Sequence, residues 1–375
     1  MKKLLYVTDA LAIHGGLERV LIDKANWLST YGDYEVHILT TNQGNHPLPF
    51  SLNDKVFFED LKIGFNHQYS YTGIKRLIFV IKLQKLFRKC LYEKFEEIKP
   101  DVVVCVRQEF VADIIKVRKN IPLVFESHSS RNSYSFDNST WRRKIRVQLM
   151  LRAVRHVQKV VALTIGDSTE WKKLKKEVCV IPNVVNLNNT EAYSSCKEKS
   201  VIFVGRFSEQ KDIVSLLEIW KIVNRKHPDW QLKIFGDGEL KEIYLSAIKD
   251  MNANIFVHEP IVQIIEEYKK NSILLLTSFY EPFGLVLPEA MSCGIPVVSF
   301  DCPYGPADII TDGVDGFLIK NRDIHTYVEK VCQLIENEEL RRRMGKNGII
   351  SSQRYRADVI MPQWIRLFDE LTSGQ

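Results

Sequence analysis

The sequence predicts an α/β protein of two domains, each built on a parallel β-sheet with helices on both faces. Short apolar runs of strand length alternate with segments of helical periodicity along most of the chain. A polar stretch with neither period, residues 184–199, separates two such series and is interpreted as a linker. With 375 residues, the chain also exceeds the roughly 250–300 residues at which single cores stop growing.

The first predicted domain, residues 1–183, opens with a βαβ unit. A strand from Leu4 to Thr8 is followed by a turn containing Gly15 and Gly16, a helix, and a strand from Tyr34 to Asn42. Gly15-Gly16 does not form the G-x-G-x-x-G pattern of dinucleotide binding, so a dehydrogenase is disfavoured. The turn is compatible both with a simple tight turn and with a loop that faces a phosphate or sugar.

Two polar side chains follow strands of this domain. Further strands are predicted at residues 102–106, 123–126, 160–164 and 178–181. Arg107 follows the first of these and His128 follows the second. Because ligands of open α/β sheets bind beyond the carboxyl ends of the strands, His128 is a candidate site residue. A histidine with a purely structural role is the alternative.

The second predicted domain, residues 200–356, begins with a strand that leads into a charged loop. The loop runs from Gly205 to Asp212, and a helix is predicted near Ile213 with Asp212 as its N-cap. Arg206 and Lys211 flank this loop, where a guanidinium and an ammonium could clamp a diphosphate without a metal ion. A solvated surface pair is the alternative interpretation.

A second turn in this domain is rich in glycine. The strand Gln231–Phe235 ends in Gly236-Asp237-Gly238. These glycines fit either a close backbone approach to a ligand or an ordinary turn.

The stretch Ile273–Pro296 contains two acidic residues in a distinctive setting. An apolar run predicts a buried strand at 273–276, and residues 277–284 form a loop. Because Pro288 lacks an N–H, the next helix should start near Leu285. Glu281 then faces the helix N-terminus and Glu289 lies one turn inside it. We interpret this as an anion on the helix with both carboxylates accepting from sugar hydroxyls; acids that only complement the helix dipole are the alternative.

These residues carry a family resemblance. The motif Ser-x-x-Glu-Pro-Phe-Gly-x-x-x-x-Glu-Ala-Met-x-x-Gly-x-Pro-Val, which starts at Ser278, resembles the signature of retaining family 4 glycosyltransferases, the glycosyl transferases group 1. The resemblance spans nearly the whole chain and implies the GT-B fold. In that fold two Rossmann-like domains face an interdomain cleft, and the C-terminal helix, here within residues 357–375, crosses back to the first domain. Residues 301–319 resemble the subgroup that builds polysaccharides and lipid-linked glycans.

The resemblance implies roles for individual residues and a donor substrate, a nucleotide-diphosphate sugar with UDP as the favoured nucleotide. The implied catalytic residues are Arg206, Lys211, Glu281 and His128. The implied ligand contacts are Glu289 to the ribose, the Phe283, Gly284 and Leu285 backbone to the sugar, Gly236 and Gly238 beside the nucleotide, and Gly15 and Gly16 beside the cleft. No metal and no other cofactor is expected. Asp212 stands where the family usually has glycine, and His258-Glu259-Pro260 also departs from the family pattern, which leaves the nucleobase open.

Basic residues are concentrated in the first half of the chain. Residues 1–190 contain 30 Lys and Arg against 19 Asp and Glu, while the whole chain has a net charge of +6. Two stretches, 71–94 and 141–159, interleave cations with apolar residues, and we interpret them as docking on anionic inner-leaflet lipid. Solvated helix faces are the alternative, and no recognised motif or aromatic platform favours nucleic acid.

Other features of the sequence bear on location. No apolar run reaches the roughly 18 residues of a membrane helix, and the N-terminus lacks a signal-peptide cleavage site. Seven scattered cysteines without a C-x-x-C motif predict reduced thiols. We therefore expect a cytoplasmic protein that is peripheral on the inner face of the plasma membrane.

The sequence thus predicts an enzyme of glycan synthesis. The expected activity moves a hexose or N-acetylhexosamine, with retention, to a glycan or lipid-linked acceptor of cell-surface polysaccharide or lipopolysaccharide. A nucleotide-sugar epimerase or a phosphorylase of the same fold remains an alternative, and so does a non-catalytic protein that binds sugar nucleotides.

Overall fold

The chain divides into two compact units. The computed structural model describes residues 1–129, 131, 141–188, 190 and 192–373, without the side chains of residues 141–143. The first unit comprises Met1–Val184 with Ala357–Gln375, and the second comprises Val185–Arg356. Most of the segment expected to be a linker belongs to the second unit, where the Arg341 guanidinium donates two hydrogen bonds to the Cys196 carbonyl, at 3.0 and 2.9 Å.

The first unit contains a seven-stranded sheet whose neighbouring strands are all parallel. Its strand order is β3-β2-β1-β4-β5-β6-β7, so the direction of winding reverses between β1 and β4. The strands are β1 Lys2–Val7, β2 Tyr34–Thr40, β3 Val56–Asp60, β4 Val102–Cys105, β5 Leu123–Ser127, β6 Lys159–Ala162 and β7 Val178–Val180.

Helices cover both faces of this sheet, because alternate strand residues point to opposite sides. Leu4 and Tyr6 belong to one core, and Leu5 and Val7 belong to the other. The helices are α1 Gly16–Tyr31, α2 Gly73–Ile98, α3 Gln108–Val117, α4 Trp141–Val154, α5 Ile165–Lys172 and α13 Ala357–Thr372. As predicted, the C-terminal helix α13 buries one apolar face, which includes Trp364 and Phe368, and it packs against the first core.

The second unit contains a six-stranded parallel sheet of order β10-β9-β8-β11-β12-β13. Its winding reverses between β8 and β11. The strands are β8 Ser200–Val204, β9 Gln231–Phe235, β10 Ile255–His258, β11 Ile273–Leu276, β12 Val297–Phe300 and β13 Gly316–Ile319. The helices are α6 Ile213–Lys226, α7 Lys241–Lys249, α8 Ile264–Tyr268, α9 Val286–Ser292, α10 Gly305–Ile309, α11 Ile324–Glu336 and α12 Glu338–Ser352.

The two parallel sheets with their helices confirm the predicted α/β class. β9, β11 and β12 have the predicted bounds, and α6 begins at the predicted Ile213. β3 and β13 were not predicted. Each of the seven cysteines is free, and five of them are buried. No described helix is both long enough and apolar enough to cross a membrane.

Candidate active site

The charged loop after β8 and the acidic loop after β11 lie side by side in the second unit. Their strands are neighbours at the point where the sheet reverses its winding, which is where open α/β sheets bind ligands. The Gln210 side-chain amide donates to the Tyr280 carbonyl at 2.9 Å, and the Phe279 N–H donates to the Gln210 carbonyl at 2.8 Å. The Thr277 hydroxyl lies 3.0 Å from the carbonyls of Lys211 and Asp212. The two loops therefore form one connected structure.

This connection brings Lys211 onto Glu281. Lys211 Nζ lies 2.5 Å from Glu281 Oε1, and the side chains are 16% and 5% exposed. The Ser278 hydroxyl donates to the same carboxylate oxygen at 2.6 Å. An ammonium has three N–H donors, so the ion pair leaves donors of Lys211 for a ligand. The pair thus joins one predicted cation with one predicted carboxylate.

Arg206, on the same loop as Lys211, is in a different situation. Its side chain is exposed, and within the described parts of the chain it makes no hydrogen bond or ion pair. A planar guanidinium that has no protein partner can offer its full fork of donors to an anion.

The two glycines after β9 allow this turn to pack on the Arg206 loop. A Cβ on Gly236 would lie 2.0 Å from the Gly205 carbonyl oxygen, and one on Gly238 would lie 2.6 Å from the Phe207 carbonyl oxygen. The Phe207 N–H donates to the Asp237 carbonyl at 2.9 Å. Close backbone packing is sufficient to require glycine at both positions.

The backbone of Glu281 is fixed by the segment after β12. The Glu281 N–H donates to the Pro303 carbonyl at 2.7 Å, and the Glu281 carbonyl accepts from the N–H groups of Tyr304 and Gly305. A Cβ on Gly305 would lie 1.7 Å from the Phe283 carbonyl oxygen. Sequence reasoning missed this role of Gly305, although the residue lies in the stretch that carries the subgroup resemblance.

The residues that follow Glu281 adopt the predicted turn into α9. Gly284 has a left-handed φ of 95°, which favours glycine, and Leu285 is the N-cap of α9 as expected. Glu289 lies in the first turn of α9 and is buried, and its Oε2 accepts a hydrogen bond of 3.2 Å from the Tyr268 hydroxyl.

Asp212 and Arg322 hold the start of α6. Asp212 has a left-handed φ of 46°, a conformation that suits the glycine of the family pattern. Its carboxylate caps α6 by accepting from the Ser215 N–H at 3.2 Å, and it also pairs with the Arg322 guanidinium. Arg322 further donates to the carbonyls of Ser278 (2.8 Å) and Thr277 (2.9 Å). Arg322, which the sequence did not indicate, therefore links both loops.

The remaining predicted site residues belong to the first unit. Gly15 is the N-cap of α1 with an ordinary φ of −106°, and Gly16 is the first residue of that helix. His128 follows β5, and its Nε2 lies 3.0 Å from Glu126 Oε1. Glu126 also pairs with Lys24, with Nζ to Oε1 at 2.5 Å. Burial alone would raise the pKa of Glu126, but Lys24 and His128 outweigh that effect and lower it to about 2.

Two further polar residues lie at the same edge of the first sheet. Thr8 directly follows β1, and Gln108 is the first residue of α3, after β4. Both are buried, and within the described parts of the chain neither the Thr8 hydroxyl nor the Gln108 amide has a hydrogen-bond partner. Neither residue was predicted, because only burial distinguishes them from ordinary loop residues. Across the described residues, no group of three or more His, Cys, Asp or Glu side chains is arranged to hold a metal ion.

Comparison with known proteins gives consistent matches over most of the chain. A family model described as Glycosyltransferase Family 4 matches residues 14–189, and one described as Glycosyl transferases group 1 matches residues 188–350. The chain is 28% identical to an uncharacterized glycosyltransferase of Haemophilus influenzae, over 97% of this chain and 99% of that protein. It is also 28% identical to the amylovoran biosynthesis glycosyltransferase AmsD of Erwinia amylovora, with the same coverage.

Solved structures agree with this assignment at the level of the fold. A TarM variant of S. aureus, solved in complex with Fondaparinux, alpha-GlcNAc-glycerol and UDP, superposes with a TM-score of 0.80 at 16% identity, over 98% of this chain and all of that chain. The two family models adjoin, the relatives match over almost the full length, and the solved structure has the same architecture. The chain therefore belongs to the family 4 glycosyltransferases, glycosyl transferases group 1, with the GT-B fold.

Proposed function

We propose that the protein is a retaining glycosyltransferase that uses a nucleotide-diphosphate sugar, with UDP as the favoured nucleotide. It would transfer a hexose or N-acetylhexosamine to a glycan or lipid-linked acceptor of a cell-surface polysaccharide. The observation that carries this proposal is the pairing of Lys211 with Glu281 at the point where the second sheet reverses, on the same loop as Arg206, whose side chain has no partner among the described residues.

The donor would lie across these two loops. Arg206 and Lys211 bind the diphosphate, and each charge-assisted hydrogen bond contributes about 1.5–3 kcal/mol. Glu281 accepts from a sugar hydroxyl, and the backbone of residues 283–285 contacts the same sugar. Glu289 accepts from the ribose, and Gly236 and Gly238 lie beside the nucleotide.

The proposed reaction proceeds on one face of the sugar. The bond between the anomeric carbon and the phosphate oxygen breaks, and its electron pair stays on the departing diphosphate. The acceptor hydroxyl oxygen bonds to the anomeric carbon on the same face, and its proton passes to the departing phosphate oxygen. Arg206 and Lys211 stabilise negative charge as it develops on the diphosphate, which is where most of the rate acceleration should arise. The scheme requires no metal ion and no enzymic nucleophile.

The acceptor side is assigned to the first unit. We expect His128 to form a hydrogen bond with the transferred sugar or the acceptor, and Gly15 and Gly16 to allow a close approach of the backbone. AmsD acts in amylovoran biosynthesis, and the TarM variant was solved with UDP; these relatives support a polysaccharide acceptor and a UDP-linked donor.

Two helices of the first unit support attachment to an anionic membrane surface. On α2, the apolar residues Ile74, Leu77, Ile78 and Ile81 are exposed among several lysines. On α4, Ile145 and Leu149 are exposed among further basic residues. Basic residues near an anionic leaflet contribute about 1 kcal/mol each, and exposed apolar side chains can insert at the interface. The proposed location is therefore the inner face of the plasma membrane.

Vesicle sedimentation tests this location. The protein should bind vesicles that contain phosphatidylglycerol but not neutral phosphatidylcholine vesicles, and binding should weaken as salt rises. The double variant Leu77→Ser/Ile78→Ser should bind less, whereas Val214→Ser, at an exposed apolar residue of the second unit, should bind normally. Equal binding by both variants would contradict the assignment to α2.

A donor screen tests the proposed activity. Purified protein is incubated with a panel of nucleotide sugars, with and without acceptor, in EDTA, and release of the nucleoside diphosphate is measured. We expect release from one donor class, stimulated by acceptor, with the product anomer matching the donor. Epimerised donor without transfer, a strict need for inorganic phosphate, or binding without any release would each replace the proposal with one of its alternatives. Loss of activity in EDTA would contradict the metal-free scheme.

A further inference from the structure

A carboxylate in the first unit is shared by two basic side chains and shielded from solvent. Lys24 Nζ lies 2.5 Å from both oxygens of Glu126, and His128 Nε2 lies 3.0 Å from Oε1. The three side chains are 1%, 1% and 6% exposed, respectively. We call Lys24, Glu126 and His128 the buried trio.

Three distant parts of the chain build the buried trio. Glu126 lies in β5 and His128 directly follows the strand, and their side chains meet with His128 Nε2 3.0 Å from Glu126 Oε1. Lys24 reaches them from α1, which is packed on the same face of the sheet. The Trp364 ring of α13 covers the ammonium, with Nζ 4.1 Å from the ring centroid. Lysine side chains are seldom fully buried, so a lysine that is enclosed by an aromatic ring and paired with a carboxylate is unusual.

The Glu126 carboxylate determines whether the facing nitrogen, His128 Nε2, carries a proton. An ionised carboxylate has only lone pairs to offer, so a ring nitrogen that faces it at 3.0 Å has to carry the proton. In the neutral imidazole the other nitrogen, Nδ1, then has the free lone pair. Among the described residues the Nε2–Glu126 contact is close but does not have full hydrogen-bond geometry, and catalytic hydrogen bonds often tighten only when substrate binds.

Lys24 accounts for the charge balance. With Lys24 and Glu126 both ionised, the pair is neutral as a whole, so Glu126 does not need a positively charged histidine as its counter-ion. Without Lys24, His128 would be the one basic neighbour of the buried carboxylate among the described residues, and a buried carboxylate favours the positively charged form of such a neighbour. An imidazolium has two donors and no acceptor, so the lone pair on Nδ1 would be lost.

We infer that Lys24 and Glu126 are positioning residues that hold His128 as the neutral Nε2–H tautomer. In this form Nδ1 accepts a hydrogen bond from a hydroxyl group of the transferred sugar or the acceptor. This role in turnover rests on the proposed transferase function, whereas the tautomer itself does not depend on it.

Nitrogen-15 NMR of the histidine rings tests the tautomer without any substrate. The chain has nine histidines, and the His128→Asn variant identifies the resonances of His128. We expect the neutral ring of the wild-type protein to carry its proton on Nε2 and to leave Nδ1 unprotonated. Glu126→Gln should give a mixture of tautomers, and Lys24→Met should move the ring towards the imidazolium. A wild-type ring with its proton on Nδ1, or variants with unchanged spectra, would overturn the inference.

Steady-state kinetics test the role in turnover. Glu126→Gln and Lys24→Met should lower kcat at least about tenfold and leave the donor KM near its wild-type value. Lys24→Arg keeps the charge and should restore much of kcat together with the wild-type ring spectrum. Glu35→Gln is the matched control, because Glu35 also precedes its partner, His37, by two residues, with Oε1 2.8 Å from Nε2. This control should change neither kcat nor the His128 spectrum.

The two assays separate the possible failures. If Glu126→Gln and Lys24→Met do not fold, the double variant Lys24→Met/Glu126→Gln removes both charges together and should be the better folded protein, with the same loss of kcat. Normal kcat in any of these folded variants would reduce the pair to a structural role and overturn the inference. If the wild-type protein transfers no sugar, the proposed function fails, and the ring spectrum still decides whether Lys24 and Glu126 set the tautomer.

Discussion

Two lysine–glutamate pairs, one in each unit, have the same 2.5 Å separation and differ in their access to solvent. Lys24 and Glu126 are each 1% exposed, whereas Lys211 is 16% exposed beside a Glu281 that is 5% exposed. Lys24 is enclosed by Tyr6 and Trp364, so its charge serves only groups of the protein. Lys211 keeps donors that a ligand can reach. Access to solvent, rather than the distance within the pair, therefore separates a positioning pair from a ligand-binding pair.

The largest effect should follow from opening the enclosed pair. Glu126→Ala leaves Lys24 as an unpaired charge inside the protein, and breaking a buried pair in this way costs about 3–5 kcal/mol of unfolding free energy. Chemical denaturation of the variant and the wild type measures this cost. In Glu281→Ala, the partly exposed Lys211 can be hydrated, so the loss of stability should be smaller. Equal losses in both variants would remove the distinction between the two pairs.

Substitution of Arg206 should affect turnover and not stability, whereas substitution of Glu126 by alanine mainly affects stability. Its side chain is exposed and has no partner among the described residues, so Arg206→Ala should leave the unfolding free energy unchanged. If it stabilises charge on the departing diphosphate, kcat should fall by about 10²–10³. Lys221→Ala, an exposed cation on α6, is the control and should leave kcat unchanged. A destabilised Arg206→Ala protein with normal turnover would contradict the assignment.

Acid titration distinguishes buried carboxylates that have a cation partner from those that do not. Lys24 and His128 overcome burial and lower the pKa of Glu126 to about 2 from 4.5, so its stabilisation is present above pH 4.5 and is lost as the pH falls towards 2. Burial raises the pKa of Asp167 from 3.8 to about 6, and the described groups that donate to its carboxylate, including the Trp171 ring N–H, are all neutral. Its contribution is therefore greatest below pH 3.8 and is lost as the pH rises through 6.

Stability measured against pH in two variants checks these signs. Asp167→Asn should flatten the decline in unfolding free energy between about pH 4 and pH 6. Lys24→Met/Glu126→Gln should flatten the loss at lower pH. If the unfolding free energy changed with pH in the opposite direction in either range, the pKa of Asp167 or Glu126 would be shifted in the opposite direction.

The smallest effect is expected at a third pair on the surface of the first unit. Lys3, Glu35 and His37 repeat the buried trio in an open setting, with Lys3 Nζ 3.1 Å from Glu35 Oε1 and side chains that are 38%, 21% and 14% exposed. Exposed pairs of this kind contribute about 0–1 kcal/mol, so Glu35→Gln should have little effect on denaturation. A cost comparable to that of Glu126→Ala would mean that burial is not the deciding variable.

Much of the fold could be predicted because its strands are short apolar runs with clear ends. Every residue of β11 and β12 is buried, and the bounds of both strands were predicted correctly. β3 was missed because it is an edge strand with alternating exposure and two acidic residues at its end. β13 was missed because it has only four residues and begins with Gly316, a residue type that is depleted in strands.

The parts of the site that could not be predicted depend on contacts between distant residues. Lys24 and Glu126 are 102 positions apart, and Asp212 and Arg322 are 110 positions apart, so no local pattern joins them. One signal was available, however. Lys24 lies three residues after Leu21 and four before Leu28, on the inward face of α1, where a lysine needs a buried partner.

The rate of a single turnover in Lys211→Ala, at saturating donor and acceptor, shows whether Lys211 acts in the chemical step. If Lys211 stabilises the charge that develops on the departing diphosphate, this rate should fall by at least about a hundredfold, with a much smaller change in donor affinity. A single-turnover rate equal to that of the wild type would show that Lys211 does not stabilise the departing diphosphate.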